Sequence, residues 1–267
     1  MKSEGGRLRA RQYLDNLAAR GRYHFDSGEA QTALGISAAA AKVALSRLAK
    51  QKLIASPSRG FYVIVPPEYR SLESLPADQF IPALMNRLDL PYYAGLLTAA
   101  EYYGAAHQRP QEFQVFLAKK RRPIACGMVR VRFMVRKRLP EVPVQSVNTP
   151  RGTLILSTPE ATALDLIGYQ QQAGGLDHVA TVLAELAERI EPEKLAAAAA
   201  AAPIAWAQRL GYLLEQVNAA EKVSALKAYV RTQAHESTTL LPGSTLKRAS
   251  RHDAWKLFIN ANVEADL

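Results

Sequence analysis

Apolar residues recur at helical spacing through the first fifty positions of the chain. In the segment 38–51, Ala41, Ala44, Leu45 and Leu48 take the i, i+3, i+4 and i+7 positions that form one face of a helix. The opposite face is small and polar near its start and basic toward its end. The same periodicity predicts further helices at about 7–20 and 28–33, with a short extended segment at 23–25 between them.

Glycines and capping residues mark where these predicted helices end and begin. Gly21 ends the first helix, and Asp26 or Ser27 is placed to cap the second. Gly35 suits the left-handed backbone of a tight turn, and Ser37 is a good N-cap for the third helix. Together these signals predict a helix-turn-helix.

The apolar period changes to that of strands directly after the third helix. Residues 53–55 and 61–65 are predicted strands, and the turn between them, 56–60, contains Pro57 and Gly60. A β-hairpin that follows a helix-turn-helix is a wing. The sequence therefore predicts a winged helix-turn-helix DNA-binding domain over residues 1–65.

The rest of the chain mixes strand and helix patterns. Pro66 and Pro67 cannot continue a central strand, so we place a linker at 66–76, a second domain at 77–232 and a partly helical tail at 233–267. The predicted fold class is α+β, a winged helix-turn-helix followed by a larger mixed α/β domain with a helical C-terminal part. Its predicted elements are helices at 77–88 (interrupted by Pro82) and 92–104, strands at 113–117, 128–136, 142–147 and 153–156, and helices at 159–171, 176–190, 192–201, 204–218, 220–232 and 252–262.

Positive charge is concentrated in two blocks. Residues 1–65 hold 11 lysines and arginines against 4 acidic residues, and residues 119–138 hold 9 basic residues and no acidic one. The remainder of the chain is mildly acidic, although the whole has a formal net charge of +10. Such blocks are typical of a polyanion ligand, since each cation near a phosphate releases a condensed counterion.

The first block supplies the candidate DNA-binding residues. A helix that enters the major groove needs small residues for close approach and donors for bases and phosphates. The alternative, a winged helix used only for protein contacts, is disfavoured by the charge of +7 over residues 1–65. The predicted DNA-binding residues are Ala39, Lys42, Val43, Ser46, Arg47 and Lys50 on the third helix, and Arg59 at the hairpin tip.

The second block forms a possible second basic surface. The strand at 128–136 alternates apolar and basic residues, which predicts Arg130, Arg132 and Met134 on one face. DNA, RNA and plain solubility all stay open as its role. The residues of this surface are Lys119, Lys120, Arg121, Arg122, Arg130 and Arg132.

No motif for catalysis, metal or cofactor binding is found in the sequence. The five histidines lack metal-ligand spacing, and Cys126 is the single cysteine, which fits a reduced cytoplasmic setting without a disulfide. Glu160 and Asp165 lie five positions apart on one predicted helix and do not share a face well. No signal peptide or membrane-spanning run is found. We therefore expect a cytoplasmic protein that is not an enzyme and has no cofactor, metal or membrane.

Four segments carry a resemblance to a known family. They are residues 59–70, 91–100, 104–108 and 157–166, in this order along the chain. In these segments the chain resembles the AbiEi-type antitoxins, transcriptional regulators of the abortive-infection toxin–antitoxin systems called type IV. The resemblance extends, with the flanking pattern, from about residue 7 to 232.

The resemblance implies two activities. The first is a repressor that binds double-stranded DNA, the repeats of its own promoter, through the winged helix. The second is antagonism of a nucleotidyltransferase-like toxin by the C-terminal domain, without a stable complex being assumed.

Two alternatives stay open from the residues alone. One is a nucleic-acid-processing enzyme, a nuclease or nucleotidyltransferase-like protein, in which carboxylates would converge beside Arg130 and Arg132. The other is a ligand-sensing transcription factor with a deep apolar pocket lined by Tyr92, Tyr93 or Tyr103.

Overall fold

The computed structural model describes residues 2–105, 110–247 and 249–266, with side chains from residue 9 onward. Part of the segment 104–108 that carries the resemblance lies outside them. The helices are α1 Lys2–Ala19, α2 Ser27–Leu34, α3 Ala38–Lys50, α4 Ala77–Arg87, α5 Leu96–Tyr102, α6 Pro159–Gly168, α7 Leu176–Leu186, α8 Pro192–Ala199, α9 Ile204–Gln216 and α10 Ser224–Gln233. The strands are β1 His24–Asp26, β2 Ile54–Ser58, β3 Phe61–Ile64, β4 Tyr92–Ala94, β5 Phe113–Leu117, β6 Ile124–Cys126, β7 Val129–Val135, β8 Val144–Thr149, β9 Gly152–Ser157, β10 Thr238–Thr239, β11 Ser250–His252 and β12 Leu257–Ile259.

The molecule is a mixed α+β protein, as predicted, and its chain divides into two compact units. The first unit comprises Met1–Tyr92, Gln111–Val135 and Ser146–Ile155, and the second comprises Tyr93–Pro110, Arg136–Gln145 and Leu156–Leu267. The predicted linker, 66–76, therefore lies within the first unit. The functional division into domains at 1–65 and 77–232 stays a prediction.

The N-terminal part of the first unit follows the order α1-β1-α2-α3-β2-β3. Asp26 caps α2 in a capping box, since its carboxylate accepts from the Glu29 amide at 2.8 Å and its own amide donates to the Glu29 side chain at 2.8 Å. Gly35 then has φ 62°, the left-handed conformation that lets the chain turn tightly into α3. The Ser37 hydroxyl caps α3 by accepting from the Ala40 amide at 3.3 Å.

Antiparallel strands β1, β3 and β2 form a three-stranded sheet in that order. Its inner side and the buried faces of α1, α2 and α3 share one hydrophobic core, which includes Leu14, Phe25, Ala30, Leu45 and Ile54. A second core of the first unit joins Phe61 and Val63 of the same sheet to α4, β5, β6 and β7. The small sheet is therefore held between two cores, and burial of these apolar side chains fixes its position within the unit.

A six-stranded sheet has the strand order β6-β7-β5-β4-β9-β8. Strand β7 is parallel to β5 and antiparallel to β6, and β4 pairs in parallel with β9 through Ala94 and Leu156. The prediction of one helix over 92–104 was wrong in its first residues. Tyr92, Tyr93 and Ala94 form β4, and extended Gly95 then begins α5. Strand β6 was not predicted.

Helix α4 runs through Pro82 without interruption, contrary to the prediction. A proline inside a helix removes one backbone hydrogen bond, but the buried side of this helix offsets that loss. Phe80, Ile81, Leu84 and Met85 are all fully buried.

In the second unit, α6 is the central helix. It packs against α5, α7, α8 and α9, and every residue from Glu160 to Ile167 is buried. Thr158 caps it as predicted, because its hydroxyl accepts from the Ala161 amide at 3.4 Å, and Pro159 takes the first helical position. A helix that is buried on all sides must be apolar or have its polar groups paired, which makes Glu160 and Asp165 conspicuous.

The tail contains a small sheet where a helix at 252–262 was predicted, so that prediction was wrong. Its strand order is β10-β12-β11, and Trp255 between β11 and β12 is fully buried. The Trp255 indole donates to Glu215 at 2.7 Å, and its ring lies so close to Gly211 that a β-carbon there would meet ring atoms at 2.2 Å. Burial of this ring packs the tail against α9.

Among the described residues, no single helix is long and apolar enough to cross a bilayer, although α2 and α3, bent by 107°, reach that length and hydropathy when taken together.

Candidate nucleic-acid interface and a buried charge cluster

One face of α3 is exposed along its whole length. Every predicted DNA-binding residue on this helix lies there: Ala39, Lys42, Val43, Ser46, Arg47 and Lys50. Val43 is 50% exposed. The opposite face, formed by Ala41, Leu45 and Leu48, is buried. Burial of that face fixes the rotation of the helix, so the polar face points to solvent.

The hairpin turn between β2 and β3 is anchored to the start of α2. Ser58 pairs with Phe61 across the turn, Gly60 has φ 72°, and the Ser27 amide donates to the Gly60 carbonyl at 3.1 Å. Arg59 at the tip is exposed. Its backbone is held while its side chain is free to reach a ligand.

Arg87 also lies at this turn, and sequence reasoning missed it. It ends α4, its side chain is exposed, and its guanidinium carbon lies 6.0 Å from the centroid of the Phe61 ring. A β-carbon on Gly60 would meet an Arg87 nitrogen at 3.3 Å. No local motif marks Arg87, because only the tertiary fold brings α4 to the hairpin.

The cations of this surface are not neutralised by the protein itself. In the part of the chain that the structure describes, no carboxylate lies within ion-pair distance of Lys42, Arg47, Lys50 or Arg59. Their charge is therefore available to an external anion.

The second basic block is divided between the two units. In the first unit, Lys119, Lys120 and Arg122 are exposed in the loop between β5 and β6, and Arg121 is half-buried. Arg130 and Arg132 are exposed on β7, as predicted. Met134 alternates onto the same side of the strand but is buried, so only the two arginines of the predicted face are exposed. In the second unit, Arg136 is buried.

The two arginines of β7 already have partners within the first unit. Arg130 donates to the carbonyls of Gly127 and Val129 at 2.7 and 3.0 Å, and Arg132 forms an ion pair with Glu112. The loop cations Lys119, Lys120 and Arg122 have no such carboxylate among the described residues.

A buried charge cluster lies at the centre of the second unit. Asp165 on α6 is fully buried, and its carboxylate accepts from the Tyr93 hydroxyl at 2.7 Å. Arg136 lies 3.6 Å from the other carboxylate oxygen and donates to the Ala201 carbonyl at 3.1 Å. Its guanidinium also stacks 4.5 Å from the ring centroid of Trp206.

The cluster shifts the protonation of Asp165. Burial raises the pKa of Asp165 to about 6, although the Arg136 charge and the Tyr93 hydrogen bond act in the opposite direction. Burial likewise raises the pKa of Tyr93, and the Asp165 charge adds to that shift. Spacing along α6 gave no sign of this cluster, because its three main members come from β4, α6 and the segment after β7.

Glu160 has a separate partner. Its carboxylate accepts from the Glu191 amide at 3.1 Å, just ahead of α8. Glu160 thus satisfies a backbone donor at the start of another helix, in addition to its place in the first turn of α6.

For the enzyme alternative, the carboxylate that pairs with an arginine of β7 is Glu112, next to Arg132. No group of three His, Cys, Asp or Glu side chains that could hold a metal ion is present among the described residues. Tyr93 is buried against Asp165, and the Tyr103 hydroxyl donates to the Ser157 carbonyl and accepts from Gln145 at 2.9 Å. Burial raises the pKa of Tyr92 to about 12. Tyr93 and Tyr103 therefore form hydrogen bonds within the second unit.

Comparison with protein families gives a match over residues 93–216. The matching model is described as the AbiEi antitoxin C-terminal domain. The match includes the segment 157–166 and most of 91–100, and it confirms the resemblance stated from the sequence. The segment 59–70 lies outside it. No curated protein matches the chain.

Two solved structures match part or most of this chain. The crystal structure of the RV2827C protein from Mycobacterium tuberculosis has a TM-score of 0.67 at 17% identity, and the match covers 94% of this chain and 91% of that one. This likeness shows a shared fold over nearly the whole chain. An antigenic nucleotidyltransferase-like protein from Paracoccidioides brasiliensis matches 57% of this chain and 91% of its own, with 13% identity and a TM-score of 0.38.

Proposed function

Because residues 93–216 belong to the AbiEi antitoxin C-terminal domain family, we propose that this protein is a DNA-binding antitoxin. In this proposal it represses its own toxin–antitoxin operon through an N-terminal winged helix-turn-helix. Its C-terminal domain counteracts a nucleotidyltransferase-like toxin, and the protein itself is not an enzyme.

The single observation that carries the DNA-binding part is the exposed face of α3. It combines small residues at its start with Arg47 and Lys50 at its end, and no described carboxylate neutralises them. Helices that read the major groove have this composition, with donors for base edges and phosphates. The hairpin that follows, with Arg59 at its tip, takes the place of a wing beside the DNA backbone.

The antitoxin part is supported by the family of the segment 93–216 and by the character of its buried charges. Asp165 and Arg136 lie 3.6 Å apart and are buried at the centre of the second unit, where a macromolecular partner cannot reach them. Toxin antagonism therefore takes place on the surface of this domain in our proposal.

Binding of the purified full chain to its own upstream DNA tests the repressor function. Fluorescence anisotropy with that duplex should give a dissociation constant that rises steeply with salt, and an unrelated duplex of equal length should bind more weakly. Equal affinity for both duplexes would contradict sequence-specific repression.

Co-expression with a nucleotidyltransferase-like toxin, which this proposal expects to be encoded in the same operon, tests the antitoxin function separately. The full chain should restore growth, and so should the variant Arg47→Ala/Lys50→Ala, because those residues lie outside the family segment 93–216. Failure of the wild-type chain to restore growth would remove the antitoxin assignment and leave the DNA-binding one in place.

A further inference from the structure

The loop between β5 and β6, residues 118–123, lies beside the turn of the β2–β3 hairpin. The link is Arg121, whose guanidinium donates to the Ser58 hydroxyl at 3.4 Å. Ser58 directly precedes Arg59 at the hairpin tip. Arg121 and Ser58 are 63 positions apart in the sequence. The fold thus brings two basic segments onto one surface of the first unit.

Packing fixes the loop to the hairpin. The Arg121 guanidinium carbon lies 5.6 Å from the ring centroid of Phe133, a cation–π contact that holds the side chain in place. Directly after the loop, Ile124 of β6 enters the same hydrophobic core as Phe61 and Val63 of β3. The loop and the hairpin are therefore packed on the same hydrophobic core, so a ligand bound by one lies beside the other.

Three cations of this loop are left free by the arrangement. Lys119, Lys120 and Arg122 are exposed, and none has a carboxylate within ion-pair distance among the residues described. Arg121 anchors the loop, and Arg132 is neutralised by Glu112. Arg130 donates to the carbonyls of Gly127 and Val129. In this unit, the cations of the second basic block without such a partner are therefore the three of the loop, next to the hairpin tip.

We propose that Lys119, Lys120 and Arg122 bind backbone phosphates of the duplex beside those reached by the hairpin and so lengthen the DNA footprint. This inference rests on the proposed DNA-binding function. It assigns separate tasks: α3 reads bases, whereas the loop contributes affinity that is independent of sequence. Duplex DNA is favoured over RNA because the loop is joined to the hairpin that follows α3.

The test compares two triple variants of equal charge. One is Lys119→Ala/Lys120→Ala/Arg122→Ala, which spares the anchoring Arg121. The matched control, Arg189→Ala/Arg231→Ala/Lys247→Ala, removes three exposed cations from the second unit. Affinity for the upstream duplex is measured by anisotropy over a range of salt concentrations, and thermal unfolding shows that each variant remains folded.

We expect the loop variant to bind about tenfold more weakly, with the slope of log K against log salt reduced by about 2–3, since each lost phosphate contact accounts for about 0.9. The loss should be equal for upstream and unrelated duplexes. The control should behave as wild type. Shortening the duplex to the site contacted by α3 should abolish the difference between loop variant and wild type.

Two results would overturn the inference while leaving the proposed function intact. One is a loop variant with wild-type affinity and slope, when Arg47→Ala/Lys50→Ala has lost binding. The other is a loop variant that keeps duplex binding but loses affinity for a hairpin RNA. If the wild-type chain binds no duplex at all, the proposed repressor function fails, and the inference fails with it.

Discussion

The exposed face of α3 and the cluster around Asp165 use charged residues in opposite ways. On α3, Arg47 and Lys50 are exposed and have no described carboxylate near them, so they contribute little to folding. In the second unit, Asp165 and Arg136 are buried and hold each other, so removal of either is costly. The comparison teaches that burial and pairing distinguish cations that stabilise the fold from cations whose charge is available to a ligand.

The largest expected effect comes from removing the buried cation. Arg136→Ala leaves Asp165 buried without its ion pair and removes the contact with Trp206. We expect the free energy of unfolding to fall by about 3–5 kcal/mol, measured by urea denaturation. The control Arg231→Ala, an exposed arginine of the same unit, should change it by less than about 0.5 kcal/mol. If both variants lost the same free energy of unfolding, the contrast between buried and exposed cations would be wrong.

Titration of Asp165 should give the next largest effect. Its pKa is raised from 3.8 to about 6 in the folded protein, so the folded state holds this proton more tightly than the unfolded state. The stabilising contribution is therefore fully present below about pH 4 and is lost as pH rises through about 6. The contribution to the free energy of unfolding that corresponds to this pKa shift is about 3 kcal/mol.

The measurement is the free energy of unfolding from pH 4 to 7 for the wild type and Asp165→Asn. The difference between the two proteins should change by about 2.5 kcal/mol over this range, since the unfolded carboxyl is already partly ionised at pH 4 and the amide does not titrate. Glu193→Gln, an exposed control, should run parallel to wild type. Parallel curves for wild type and Asp165→Asn would show that the carboxylate does not titrate in this range.

Substitutions on α3 should weaken DNA binding and leave the free energy of unfolding almost unchanged. Arg47→Ala and Lys50→Ala should each weaken binding to the upstream duplex by about 1–3 kcal/mol if they contact bases. Their free energies of unfolding should stay within about 0.5 kcal/mol of wild type, because both side chains are exposed. A loss of stability as large as the loss of binding would place these residues in the fold instead.

Substitution of Arg151 should have the smallest effect. Arg151 is a cation of the first unit whose contacts stabilise the fold. Its guanidinium carbon lies 3.7 Å from the ring centroid of Tyr23, and it pairs with Glu68 at 3.0 Å. Arg151→Met should lower the free energy of unfolding by about 1 kcal/mol through loss of the cation–π contact. The salt dependence of DNA binding should not change. A reduced salt slope would instead assign Arg151 to the DNA-contacting surface.

Sequence reasoning was most successful where local signals and long-range packing agree. Asp26, Gly35 and Ser37 fixed the ends of α2 and α3, since capping and left-handed turns depend on neighbouring residues alone. It failed at β4, where a helix was predicted over 92–104, and in the tail, where a helix was predicted at 252–262. At those places pairing with a distant strand or burial of Trp255 overrides the local pattern.

For this protein, the amino-acid sequence by itself determined the exposed basic face of α3, the hairpin after it and the existence of a second basic block. Helical periodicity, turn residues and charge are local properties, so they can be read along the chain. Only the tertiary structure decided that the loop 118–123 lies beside the hairpin tip and that Arg136 meets Asp165 inside the second unit. Contacts between residues far apart in sequence depend on how elements pack, and periodicity within any one element does not contain that information.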